Sequence, residues 1–191
     1  MEVHIISDPR EPHKLGEVMS EVTRQGITEY EIWFGHPEPG EAKITINRAH
    51  KRIVEYARTN GLESVCVLED DVHFPAPDGW FYFNQYLPTV EYNLYLGGHY
   101  GHVEPLKQAQ FDHLAICHRP AGFHCYIIHQ RYYDQFLRTP DDVHIDDYQT
   151  EQPIFVCYPF AAVQRPGWSA NAKAKVDYND TIRKKKMVHG W

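Results

Sequence analysis

The sequence has no apolar run of 18 residues, so no membrane-spanning helix is expected. It holds only four cysteines, Cys66, Cys117, Cys125 and Cys157, with no CxxC spacing. Three of them sit in apolar strand-like runs, where cysteine acts as a small buried hydrophobe. A reduced, cytoplasmic protein is therefore expected. Positive charge is scarce: 19 Lys+Arg against 26 Asp+Glu leave a formal charge of -7. That excludes a uniformly basic nucleic-acid binder, and no nucleic-acid partner is expected. There is no GxxxxGK[ST], GxGxxG or GxSxG motif, which argues against P-loop, dinucleotide-binding and nucleophile-elbow chemistry. The start, Met1 to Asp8, lacks a basic n-region followed by an apolar stretch, so no secretory leader is expected.

What is present suits one globular domain. The 191 residues are 42% hydrophobic and 24% charged, long enough to bury a core without disulfides or a structural metal. Aromatics reach 14%, with 13 Tyr and 13 His, a weak pointer to polar, ring-shaped ligands.

Strand and helix patterns alternate. Val3-His4-Ile5-Ile6 is a short apolar run ended by Ser7-Asp8-Pro9, as in a strand and turn. Leu15, Val18, Met19 and Val22 share one helical face, and Gly26 stands where a helix stops. Tyr30 to Phe34 reads as a second strand. A helix is expected from about Ile46 to Thr59, with Ala49, Ile53, Val54 and Ala57 inward and Asn60-Gly61 ending it. Ser64 to Leu68 is nearly all apolar, as in a parallel strand covered on both faces. Tyr92 to Leu96, Cys125 to Ile128 and Pro153 to Pro159 read as strands, and Tyr132 to Leu137 as a short helix. This order predicts an α/β sandwich with a mostly parallel central sheet. From Ala170 the chain turns polar and carries the basic run Arg183 to Lys186, as in a solvated tail or a flap touching phosphate or a membrane surface.

Two acidic constellations bear on chemistry. Glu69-Asp70-Asp71 directly follows the buried strand Ser64 to Leu68, at the sheet edge where open α/β sheets bind ligands. Adjacent carboxylates repel one another and call for a counter-charge, which a hard divalent cation bridging to phosphate supplies. Strand alternation would send Glu69 and Asp71 to one side and Asp70 to the other. An acidic solvated turn or a helix cap is the plainer alternative. The second constellation is His144-Ile145-Asp146-Asp147-Tyr148, where a carboxylate can act as general base toward a hydroxyl, or merely cap a helix. A non-haem iron site on His144, Asp146 and His189 suits an all-β jelly roll, not this alternating chain.

Weaker features accompany these. Asn47 and His50 lie on the helix leading to the acidic strand and are read as facing a nucleotide, with a cap and a surface histidine as alternatives. Gly97-Gly98 and Pro120 to Phe123 allow close backbone approach to a ligand or make ordinary turns. Trp80 to Phe83 and Tyr132-Tyr133 are better read as core than as sugar-stacking platforms.

In order, "VLEDDV", "GFHCYIIHQRYYDQFL", "HIDD" and "YPFAAVQRPGWSAN" resemble glycosyltransferase family 25, the lipooligosaccharide and collagen-type galactosyltransferase group. The resemblance spans residues 3–171 and is sharpest at Leu68 to Val72, Gly122 to Leu137 and Gln164 to Ser169. It implies a GT-A (Rossmann-like) α/β/α fold over residues 1–171, with 172–191 as tail or flap. It also implies a nucleotide-sugar donor, a Mn²⁺ or Mg²⁺ cofactor, a glycan or glycoconjugate acceptor and inversion at the anomeric carbon. Under it, Glu69-Asp70-Asp71 is the DxD-type motif, with Asp71 the principal metal ligand beside Glu69 and Asp70 on the ribose or sugar. Ser7, Asp8 and Arg10 fall where the base and ribose are held, and Asp146 or Asp147 where the catalytic acidic residue is expected. A UDP-linked donor is the expected substrate. Two alternatives stay open, a non-catalytic nucleotide- or glycan-binding module and a metal-dependent nucleotidyltransferase.

Overall fold

A computed structural model describes residues 1–35, 42–169 and 174–178. Strand β1 (Glu2–Ser7) is buried from Val3 onward, as a strand covered on both faces must be. Helix α1 (Pro12–Arg24) buries Val18, Glu21 and Val22. It ends where Gly26 takes a φ of 71° and Ile27 N donates back to Val22 O at 2.9 Å, a Schellman-type stop. Strand β2 (Glu31–Phe34) follows, then helix α2 (Ala42–Thr59), which starts four residues before the expected Ile46. Gly61 and Leu62 repeat the same helix stop, with Leu62 N on Ala57 O at 2.9 Å.

Strand β3 (Ser64–Glu69) leads through the turn Asp70-Asp71 into β4 (Val72–His73) and helix α3 (Gly79–Gln85). Strands β5 (Leu94–Leu96), β6 (Glu104–Pro105), β7 (Leu114–Ile116) and β8 (Cys125–His129) come next. Short helices α4 (Tyr133–Leu137) and α5 (Ile145–Tyr148) precede β9 (Ile154–Cys157), β10 (Val163–Gln164), β11 (Gly167–Ser169) and β12 (Ala174–Val176).

Among the described residues one eight-stranded sheet runs β2-β1-β3-β8-β5-β9-β7-β6. β2, β1 and β3 are parallel, as are β5 and β9, while β8 and β7 run against their neighbours. The sheet is thus mixed but mostly parallel in strand direction. Along β3 the side chains alternate between two cores. Val65 and Val67 join Ile53, Val54 and Phe136 under α2 and α4, and Cys66 and Leu68 join Val18, Val22 and Phe83 under α1 and α3. That is an α/β/α sandwich. All four cysteines are buried and unpaired as thiols, and none of the helices among the described residues is long and apolar enough to cross a membrane.

Two ribbons complete the architecture: β4 pairs with β10 (Gln164↔Val72), and β11 with β12 (Trp168↔Lys175). Part of the stretch read as a polar tail is therefore paired strand. The antiparallel insertion of β8 has a consequence for the site. It brings the chain entering β8, Gly122 to His124, to the same sheet edge as the carboxyl ends of β1, β3 and β5.

Candidate functional site

At that edge lies a cleft of about 380 Å³ whose lining includes Asn47, Glu69, Tyr100, Gly122, Asp146, Asp147, Gln164 and Tyr178. Glu69 of the first acidic constellation and Asp146 and Asp147 of the second share it. Asp146 sits in the single turn of α5. Its Oδ1 accepts from Asp147 N at 3.0 Å and its Oδ2 from Gly122 N at 3.2 Å. Burial raises its pKa, and the charges of Asp147 and Glu69 add to the shift. Asp147 is more than half exposed and faces Arg119 at 3.8 Å.

The acidic turn is split. β3 ends at Glu69, so the expected alternation stops there and Glu69 and Asp71 do not share one side. Glu69 lines the large cleft, whereas Asp71 lines a neighbouring one of about 140 Å³ with Lys14, Arg165 and Trp168, and Gln164 lines both. Glu69 Oε1 meets His50 Nε2 at 3.0 Å, and His50 Nδ1 meets the Tyr126 hydroxyl at 2.9 Å. Burial alone would raise the Glu69 pKa, but the His50 hydrogen bond and charge outweigh it and hold Glu69 low. Burial and the Glu69 charge together push Asp71 well above the usual carboxylate range. Asp70 accepts from Asp8 N at 3.0 Å, tying the turn to the end of β1, and burial raises it too.

His50 corrects its reading as a nucleotide contact. It is wholly buried and both ring nitrogens are engaged by the protein, so it reaches the cleft only through Glu69. Asn47 does line the cleft, yet its amide donates to the carbonyls of Asp141, at 2.9 Å, and Val143. It braces the loop that presents Asp146. Arg48 and Lys51 grip the Asp141 carboxylate from the same helix at 3.0 and 2.7 Å.

Ser7, Asp8 and Arg10 border a small, mainly apolar slot of about 60 Å³ with Ile6, Gly35 and Ile46. Ile46 also lines the large cleft, so the two spaces adjoin. Asp8 holds the half-exposed Arg10 guanidinium at 2.5 Å, and that contact lowers the Asp8 pKa.

The sequence reading passed over a second set of residues here. Tyr100 donates to Gln164 Oε1 at 2.6 Å and meets His124 Nδ1 at 2.9 Å, while Gln164 Nε2 donates to Asp71 Oδ2. The Tyr100 ring stacks between His124 and Tyr178, at 5.4 and 4.6 Å. Burial drops the His124 pKa to about 4, so its ring is neutral near pH 7. Gly122 is required beside Tyr100: its φ is +98°, and a Cβ there would lie 2.4 Å from the ring. Gly97 and Gly98 make room for backbone rather than for a ligand, since Ala161 N and Ala162 N donate to Gly97 O at 2.9 and 3.0 Å. Trp80, Phe83, Tyr132 and Tyr133 pack in the two cores, away from the cleft, whereas Phe81, read as core with them, is exposed. Residues 179–191, including Arg183 to Lys186 and His189, lie outside the described residues.

Among the described residues no three His, Cys, Asp or Glu side chains form a closed metal cage. A hard cation that takes one or two carboxylates and completes its shell with phosphate and water does not need one. Asp71 fits that demand: its Oδ1 is buried and has no hydrogen-bond partner among the described residues. An anionic oxygen left so is costly unless a proton or a cation meets it.

No protein-family model matches the chain, and no curated protein sequence matches it. Solved structures are similar to it. A glycosyltransferase involved in the glycosylation of the major capsid of PBCV-1 is 14% identical at a TM-score of 0.41, covering 71% of this chain and 63% of that one. The mannosyltransferase PcManGT from Pyrobaculum calidifontis, in complex with GDP-Man and Mn²⁺, is 13% identical at 0.44, covering 81% and 56%. The nucleoside-diphosphate-sugar pyrophosphorylase from Vibrio cholerae RC9 is 12% identical at 0.37, covering 96% and 81%. The chain thus spans less than two thirds of the length of the two glycosyltransferases. The likenesses concern fold, and the resemblance to family 25 rests on the motifs quoted above.

Proposed function

We propose that the chain is an inverting, metal-dependent glycosyltransferase of the family 25 kind, moving a sugar from a UDP-linked donor to a hydroxyl of a glycan or glycoconjugate. The observation that carries this reading is a cleft lined by both Glu69 and Asp146, next to an Asp71 oxygen that has no partner among the described residues. Asp146, its pKa raised by burial, takes the proton of the acceptor hydroxyl as general base. The acceptor oxygen bonds to the anomeric carbon as the bond from that carbon to the diphosphate breaks, and the electron pair leaves with UDP. Mn²⁺ or Mg²⁺, when bound, offsets the charge growing on the diphosphate.

Asp71 is assigned as the cation's ligand. Glu69 is assigned to hydroxyls of the donor sugar, because Gln164 stands between the space it faces and the space Asp71 faces. The slot at Ser7, Asp8 and Arg10 is assigned to base and ribose, and Asp70 supports it through the Asp8 amide.

The test is release of UDP from UDP-sugars with Mn²⁺, with and without glycan acceptors. Acceptor-stimulated release is expected, falling about 10²- to 10⁴-fold in Asp146→Asn while nucleotide binding persists. Undiminished transfer by both Asp146→Asn and Asp147→Asn would refute the base assignment. Nucleotide binding with no turnover on any acceptor would point to a binding module.

A further inference from the structure

The amide of Gln164 can present either end to Asp71, and only one end is useful there. With its oxygen toward the carboxylate the two would repel. With its NH₂ toward it, one carboxylate oxygen is held and the other, buried, has no partner among the described residues, which is the observed arrangement. What selects it is Tyr100. Its hydroxyl proton goes to Gln164 Oε1 at 2.6 Å, and the same hydroxyl meets His124 Nδ1 at 2.9 Å. The donors run from Tyr100 through Gln164 to Asp71 Oδ2.

Each link is fixed by something other than the link itself. The Tyr100 ring is clamped between His124 and Tyr178 and abuts Gly122, where even a Cβ would collide at 2.4 Å. Gln164 belongs to β10, whose partner strand β4 begins at the residue after Asp71, and Arg165 N donates to Asp71 O at 2.7 Å. Backbone and side-chain ends of the Gln164–Asp71 contact are thus anchored on one ribbon. The Tyr100 ring also packs against the apolar cluster under α2 and α4, which fixes it further.

We propose that Gln164 and Tyr100 are positioning residues for Asp71, holding its carboxylate so that Oδ1 alone is offered to a divalent cation. This rests on the assignment of Asp71 above. Partners that orient a metal ligand in this way contribute about 10- to 100-fold in metal affinity. Losing the Gln164 donor frees Oδ2 to turn toward the cation as well, which changes the number of waters the cation keeps.

The experiment is titration with Mn²⁺ alone, without nucleotide, read by electron paramagnetic resonance and by water-proton relaxation. Gln164→Met keeps length and loses the donor; Tyr100→Phe keeps both ring stacks and loses the hydroxyl. Gln164→Met is expected to bind Mn²⁺ about 10- to 100-fold more weakly with one coordinated water fewer, and Tyr100→Phe to move in the same direction by less. If Asp71→Asn abolishes binding while both variants match the wild type in affinity and bound water, the positioning role is refuted and the Asp71 assignment stands. If wild type and Asp71→Asn bind Mn²⁺ alike, the Asp71 assignment falls and this proposal with it. A weakened affinity with unchanged bound water in both variants would reduce the chain to a structural strut and also overturn the proposal.

Discussion

Two carboxylates, one buried and one half-buried, flank the β4–β10 ribbon, and they are treated in opposite ways. Glu21 on α1, 4% exposed, has both oxygens engaged: Oε1 by Arg24 and by Phe74 N at 2.9 Å, Oε2 by Arg165 at 2.8 Å and His73 at 3.1 Å. Burial alone would raise its pKa, but these partners, His73 foremost, bring it down to about 2. Asp71, at the foot of the same ribbon, has one oxygen held by Gln164 and the other without a partner among the described residues, and burial and the Glu69 charge push its pKa upward. Residues 164 and 165 are neighbours, yet Gln164 serves one carboxylate and Arg165 the other. A buried acid with every partner in place is a staple; one left a partner short, at a cleft, is poised for a ligand.

That contrast can be broken experimentally. The largest effect on stability is expected from Glu21→Gln, which takes the shared counter-charge from Arg24, Arg165 and His73 and costs about 3 kcal/mol in urea unfolding; a loss under 1 kcal/mol would mean the cluster is not a staple. The acid limb follows from the same group. Its folded pKa lies below the unfolded value of about 4.3, so its contribution is present above pH 4–5 and lost as pH falls toward 2. Up to about 3 kcal/mol should disappear over that window, and Glu21→Gln should flatten it. Gly122→Ala should cost about 2 kcal/mol, from φ strain and the Tyr100 collision, and loosen Asp146 together with Gln164; unchanged unfolding would sink that geometry. Asp71→Asn should have the smallest effect on stability, nil or a gain of about 1 kcal/mol, because it removes a negative charge that burial and Glu69 disfavour. A loss comparable to that of Glu21→Gln would erase the distinction between the two carboxylates.

The regular half of the fold was legible because its signals are local. Val18 and Val22 announce α1, Gly26 and Gly61 the helix ends, and the apolar run before Glu69 the central strand. The ribbons β4–β10 and β11–β12 were not, since strands of two or three residues have no periodicity of their own and exist only through pairings such as Val163↔His73. Likewise the acids of the cleft stood out as runs of charge, while Gln164 and Tyr100, 64 residues apart, have meaning only once the sheet brings them together. His50 did leave a trace: it shares the inward side of α2 with Asn47 and Ile53, and a polar group there calls for a buried partner, which is Glu69. Side-chain alternation does not extend to Asp70 and Asp71, because the strand stops at Glu69 and a turn obeys no period.

The most direct test of the account is calorimetric titration with UDP, and GDP for comparison, with and without Mn²⁺, on wild type and Asp71→Asn. The account predicts UDP binding that depends on Mn²⁺ in the wild type and is lost in Asp71→Asn with the fold intact. Binding that ignores Mn²⁺, or that survives in Asp71→Asn, would contradict it.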